Sequence, residues 1–262
     1  MYFTSIIAVT VLAFSSAALA APYNQDSSTV TTATGTGAPT VTVTLNPLES
    51  LGLSKTQQVL LSDTRVDALN NVLTSNEDFK FSFLDKKTGG PGRGGEIVAA
   101  NRKTFPALTN TGVGAAVAFL KPCGFNTPHV HPRATELAIV VQGTVVSSMF
   151  PENQVNTDGK PREILNTLKP FDTTVFYQGS VHSQFNPDCE DAVFVAAFNS
   201  EDAGTGQVAQ ELFGLSNEDL TAAIFGNQID GADVDKLKSQ ISTNVALGVE
   251  ECLKKCNIPK RK

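Results

Sequence analysis

Tryptophan is absent from this chain of 262 residues, methionine occurs twice and histidine only three times. No Asn-x-Ser/Thr sequon occurs, so N-linked glycosylation is not expected. There is no basic footprint for nucleic acid. The net charge is −6, and Lys and Arg are scattered apart from Lys254-Lys255 and residues 260–262, which read as a solvated end. Beyond the amino terminus no apolar stretch approaches the length of a bilayer span, so a membrane protein is not expected. What remains is ordinary aliphatic content in a chain long enough to bury one sizeable core.

Residues 1–20 read as a signal peptide. The apolar run 6–14 is too short to span a bilayer, and Ala18-Leu-Ala20 supplies a small-x-small cleavage site. The segment before it has no Lys or Arg, and a membrane anchor is the alternative. Cleavage would leave Ala21 at or near the start of a secreted, extracellular protein. Residues 21–46 form a Ser/Thr-rich, low-complexity leader with few large apolar groups, an O-glycosylated linker or a plain floppy segment.

All three histidines fall inside two short motifs. His129 and His131 lie in Gly124-Phe-Asn-Thr-Pro-His-Val-His-Pro-Arg-Ala-Thr-Glu136, closed by Gly143; His182 lies in Gly179-Ser-Val-His-Ser-Gln-Phe-Asn186. Side chains at i and i+2 of a strand share a face, so His129 and His131 can aim at one point. Pro132 breaks the strand, and a second can start near Thr135 and carry Glu136 to the same point. Three imidazoles and one carboxylate suit manganese, iron, nickel or zinc rather than calcium or magnesium. Asn186 and Gln184 are candidate supporting residues, with a surface or turn role the plainer reading of Gln184.

The two motifs resemble the paired signatures of the cupin superfamily, and Pro128-His-Val-His-Pro-Arg-Ala-Thr-Glu136 is similar to the germins and germin-like proteins. The flanks are most similar to the spherulin-like secreted proteins of fungi and slime moulds. Thr104-Phe-Pro-Ala-Leu-Thr-Asn-Thr-Gly112 and Phe198-Asn-Ser-Glu-Asp202 extend the similarity from about Ala99 to Leu215. Four residues separate Gly124 from His129 where the signature has five, and Tyr177 stands where the second signature has proline. The resemblance implies a mainly β protein: a double-sheet jelly-roll barrel over residues 47–206, amino-terminal extension included, followed by a helical segment over 207–262. It also implies a manganese site at His129, His131, Glu136 and His182, and a homo-oligomer clasped by carboxy-terminal helices.

Local patterns agree with that plan. Ser54-Lys-Thr-Gln57 reads as a capping box opening a helix that ends near Asn71. Alternation over 79–83 reads as a strand, and the Gly-rich stretch 86–95 as a flexible loop rather than a phosphate cradle. Apolar runs over 112–120 and 192–198 have strand length. Helices are expected over 207–213, over 217–225 with Ser216 as cap and Gly226 as stop, over 233–241 and over 245–256.

Two function classes stay open. One is a metal-dependent oxidoreductase acting on a small anion or a reduced oxygen species, as the germin resemblance implies. Oxalate oxidases carry two asparagines over the metal; Asn110 matches the first, and the second falls on Ala116, which favours superoxide over oxalate. The other is a storage, spore-coat or cell-wall protein, as spherulins are thought to be, with a structural metal.

Four cysteines in a secreted chain point to disulfides. The antiparallel register that sets His129 opposite His182 brings Cys123 and Cys189 within one residue of facing each other, so a Cys123–Cys189 bridge is expected. Cys252 and Cys256, an i, i+4 pair, are left as buried thiols, as partners after helix unwinding, or as partners in a crossed connectivity.

Overall fold

Short runs rich in Val, Ala and Phe, punctuated by Gly, Asn and Asp, build two antiparallel sheets. The computed structural model describes residues 51–259 except 91–92, 227, 229–230 and 243, so the expected signal peptide and leader lie outside the described residues. The strands are β1 (Gly95–Ala100), β2 (Gly114–Leu120), β3 (Gly124–Val130), β4 (Glu136–Gln142), β5 (Val145–Phe150), β6 (Asn156–Thr157), β7 (Lys160–Pro161), β8 (Ile164–Leu168), β9 (Thr173–Phe176), β10 (Val181–Phe185), β11 (Ala192–Phe198), β12 (Gly206–Gln207) and β13 (Val245–Leu247). One sheet runs β1-β2-β11-β4-β9, and the other runs β12-β3-β10-β5-β8 with β13 also on β3. Strands β6 and β7 form a separate two-stranded ribbon. Leu120, Val140, Val145, Met149, Leu168, Phe176 and Phe194 meet in one buried core, as facing sheets require.

Two close approaches set the strands that carry the histidines. A Cβ at Gly124 would lie 1.9 Å from the Gly94 carbonyl oxygen, so only glycine lets these backbones cross. Gly179, at φ +78°, turns the chain into β10, and its N–H donates to the His131 carbonyl at 3.1 Å. Each motif is thereby fixed to the other.

The helices differ from the simplest expectation. The capping box of Ser54 and Gln57 is present, but the helix stops as α1 (Lys55–Leu61) and restarts as α2 (Arg65–Asn71). Thr64 opens the second helix by accepting the Asp67 N–H, which favours a break over continuation. The expected strand over 79–83 does not form. A 3₁₀ turn covers Asn76–Phe79, and the Phe81 ring packs 5.0 Å from Phe83 and 5.5 Å from Phe105, so aromatic contacts replace a ladder. Helices α3 (Val208–Leu212), α4 (Glu218–Ile224) and α5 (Gly231–Lys238) follow, with Asn217 rather than Ser216 capping α4.

The expected helix over 245–256 splits in two. Val245–Leu247 pairs with Asn126, Phe125 and Gly124 of β3 as strand β13, and only Glu250–Lys255 is helical, as α6. The β3 edge offers unpaired backbone groups, and Gly248 is a poor helix residue, so pairing overrides the helical stripe.

The disulfides correct the expected Cys123–Cys189 bridge. Cys123 bonds Cys252 and Cys189 bonds Cys256, with Cα separations of 5.7 and 5.3 Å. The register argument placed the strand cysteines side by side: Cys123 N–H donates to the Asp188 carbonyl at 3.2 Å. However, α6 docks there with two thiols one turn apart on one face, and each takes a different strand cysteine. The connectivity is the crossed one.

Candidate metal centre

His129 stands opposite His182 in the β3–β10 ladder, and Glu136 opens β4 in the other sheet. A register shift between His182 and Gln184 marks a bulge just after the paired histidines. His129, His131, Glu136 and His182 are all buried, and one ligand atom from each lies within 4.8 Å of the others. An ion bonding at about 2.1 Å is within reach of all four.

The backbone fixes which nitrogen faces inward. His129 Nδ1 donates to the Thr127 carbonyl at 2.8 Å, His131 Nδ1 to Gly204 at 2.6 Å and His182 Nδ1 to Ser180 at 2.9 Å. A carbonyl only accepts, so Nδ1 carries the hydrogen in each ring and Nε2 turns to the common point. Phe176 stacks on His182 at 4.3 Å, and Phe198 meets His131 edge-on at 4.8 Å, holding the ring planes.

The unsatisfied groups show that these residues fit a cation. Glu136 Oε1 and His182 Nε2 are buried without a hydrogen-bond partner. Glu136 Oε2 lies 2.9 Å from His131 Nε2 and 3.4 Å from His182 Nε2. Burial holds the His129 pKa down to about 3, helped by the neighbouring His182. Burial also opposes charge on Glu136, but the His131 hydrogen bond and the adjoining His182 imidazole outweigh it and hold the carboxyl at about 2. For His131, burial is again the largest influence; the Glu136 hydrogen bond, the Gly204 carbonyl and the Glu136 charge together overcome it and raise the pKa. Neutral Nε2 donors around one carboxylate anion form a site for a first-row divalent ion.

A family pattern described as Cupin matches residues 82–233. The chain belongs to the cupin family. Spherulin-1A of Physarum polycephalum is 36% identical over 200 residues, covering 76% of this chain and 77% of that protein. Germin-like protein 12-2 of Oryza sativa subsp. japonica is 35% identical over 155 residues, covering 58% of this chain and 66% of that protein. A solved oxalate oxidase is 26% identical with a TM-score of 0.56, covering 64% of this chain and 82% of that one.

Beside the histidines this cupin has a cavity of about 480 Å³, lined by small and apolar residues of β1, β2 and β11 and by His129, His131, Glu136 and Asn126. The other expected site residues lie elsewhere. Asn110 is exposed, at φ 60°, and does not line the cavity. Asn186 is fully buried at the opposite end of β10, where its amide donates to the carbonyls of Lys121 at 3.0 Å and Glu190 at 2.7 Å. Gln184 is not on the surface but buried, and its Oε1 accepts from Asn126 Nδ2 at 2.9 Å.

Asn126 was missed by sequence reading, although its Nδ2 sits 3.3 Å from His129 Nε2. Its position three residues before His129 was the available signal, but strand alternation with His129 sends it to the wrong face. The pairing shift near Gln184 brings it inward. Gly204, which orients His131, sits in a loop with no motif to mark it.

Proposed function

We propose that this cupin is a secreted, metal-dependent oxidoreductase acting on a reduced oxygen species or a small organic anion, with manganese as the ion. Iron, nickel and zinc share the donor chemistry. The observation that carries the reading is the convergence of three imidazole Nε2 atoms and the Glu136 carboxylate in one buried site that opens on a cavity. His129, His131, Glu136 and His182 would hold the ion. When bound, it would supply a redox centre and, with one carboxylate against a divalent charge, a local field that attracts anions.

The chain's own groups support that chemistry. Backbone carbonyls hold the three rings in one tautomer, and Phe176 and Phe198 limit water around them. Superoxide is favoured over oxalate because Ala116 lines the cavity and Asn110 does not, so the amide pair of oxalate oxidases is absent. Two disulfides suit an oxidising compartment and support secretion. Exposed Leu220 and Ile224 on α4 and Leu237 on α5 support a homo-oligomer joined through the carboxy-terminal helices.

A second reading is a storage, spore-coat or wall protein with a structural metal. The ligands favour it in one respect: they come from both sheets, so an ion would tie the barrel together whether or not it turns over a substrate. Purified protein should be assayed for bound metal, then for superoxide and oxalate turnover. Stoichiometric manganese with superoxide turnover supports the enzyme. Bound metal with neither activity supports the structural role, and protein that takes up no divalent ion overturns both.

A further inference from the structure

The cavity owes its volume to alanine. In strand register Ala99 pairs with Ala116, Ala116 with Ala196 and Ala196 with Ala138, a transverse row of four alanines across β1, β2, β11 and β4. The next row on one side contains Phe198 and Glu136, and on the other Ile97, Ala118, Phe194 and Val140. Ala99, Ala116, Ala118 and Ala196 all line the cavity. Sheet interiors favour β-branched and aromatic side chains, and an unfilled core void costs stability. A row of alanines beside the Glu136 carboxylate therefore leaves room for an occupant.

The polar groups say where the occupant's head lies. Asn126 lines the cavity, is 3% exposed, and leaves its Oδ1 without a partner; Glu136 leaves Oε1 without one. One Asn126 N–H is held by Gln184, and the other faces His129 Nε2. An ion on that Nε2 lone pair frees this N–H for a bound anion. Among the described residues no Lys or Arg lines the cavity. Asp202, at its rim, is already paired with Arg102 at 3.3 Å and Arg133 at 2.9 Å. A second carboxylate at the far end would be buried against alanine with no cation, which is costly.

We infer that the alanine-lined cavity binds a monocarboxylate with an apolar body, its carboxylate at the His129–His131–Glu136–His182 site beside Asn126 and its hydrocarbon along Ala116, Ala118 and Ala196. The inference rests on the metal reading above and narrows its organic anion to one class. A dicarboxylate long enough to set its second carboxylate against that wall, such as succinate, is disfavoured by the same alanines.

The test is calorimetric titration of the manganese-loaded protein with acetate, butyrate and hexanoate, and with succinate as the dicarboxylate of butyrate length. Affinity should rise about fourfold per added methylene until the cavity is filled, and succinate should bind more weakly than butyrate. Ala196→Leu, or Ala116→Val if that variant does not fold, should remove the chain-length gain while acetate still binds. A flat series on metal-loaded protein, or succinate tighter than butyrate, overturns this inference alone. A chain that takes up no metal overturns the metal reading and this inference with it.

Discussion

At one end of the β3–β10 ladder His129 and His182 face each other; at the other, Cys123 and Cys189 lie side by side and are bonded to α6. Both ends gather side chains from distant parts of the chain; the histidine end is buried throughout, whereas at the other Cys123 and Cys252 are buried and Cys189 is exposed. They differ in how completely their polar groups are satisfied. At the cysteine end Asn186 donates to Lys121 and Glu190 and accepts the Asp188 N–H at 3.0 Å, and both disulfides are closed. At the histidine end Glu136 Oε1, His182 Nε2 and Asn126 Oδ1 have no partner. An end closed by covalent and satisfied contacts gives rigidity, and that rigidity lets the other end keep unsatisfied donors pointed at one place.

The largest expected effect comes from removing a ligand. His182→Ala should lower metal affinity by at least about 100-fold, beyond what loss of an outer hydrogen-bond partner costs. The chain should still fold, because Nε2 of His182 makes no hydrogen bond that the fold depends on. Metal analysis and circular dichroism read both. Full metal retention would remove His182 from the site and erase the contrast between the ends.

Next comes the covalent end. Replacing Cys252 and Cys256 by Ser opens loops spanning 129 and 67 residues of sequence separation. In the chain-entropy model either closure is worth about 4–5 kcal/mol, and the two overlap, so the pair should cost less than the sum. Denaturant unfolding should show that loss, while bound metal stays stoichiometric. Non-reducing peptide maps of the unaltered protein should link Cys123 to Cys252 and Cys189 to Cys256.

Asn186 sharpens the contrast because it belongs to one end by sequence and to the other by structure. It follows His182 by four residues, yet every hydrogen bond of its side chain is made at the cysteine end. Asn186→Ala should cost about 1–3 kcal/mol in stability by leaving buried groups unpaired, with metal content unchanged. Metal loss in a stably folded variant would return it to the histidine end.

The histidine end was legible because its information is local. His129 lies in β3 and His131 just past its end, two residues apart and both buried, and β4 starts at Glu136; each step follows from neighbours in sequence. The strands over 114–120 and 192–198 were readable for the same reason. The cysteine end was not, because its outcome depends on α6 docking across more than sixty residues. Val249, Cys252, Leu253 and Cys256 form a good helical stripe, and nothing in that stripe reveals that Val245–Leu247 leaves it to pair with β3. Asn126 escaped notice because a bulge, invisible in the sequence, turns it inward.

The smallest expected effect is a pH dependence confined to one end. In the metal-free protein His131 holds its proton above the usual histidine range, because Glu136 and the Gly204 carbonyl outweigh burial. Metal must displace that proton from Nε2. As pH falls below the raised pKa of His131, affinity should drop about tenfold per unit for this one proton. His129 adds no proton until about pH 3, nor Glu136 until about pH 2. The stability signs follow. His131, raised, stabilises the metal-free fold at low pH and loses that contribution as pH rises through its folded pKa. His129, lowered, costs stability as pH falls from about 6.5 toward 3, since the unfolded chain takes its proton first. At the cysteine end Asp188 is held below the usual carboxylate range, first by a hydrogen bond from Thr144, so above about pH 5 it is charged in both states and contributes no slope. Calorimetry of metal binding below the ordinary histidine range, in buffers of different ionisation enthalpy, should count about one proton released from His131. A count near zero would mean that Glu136 does not hold the His131 proton in the free protein.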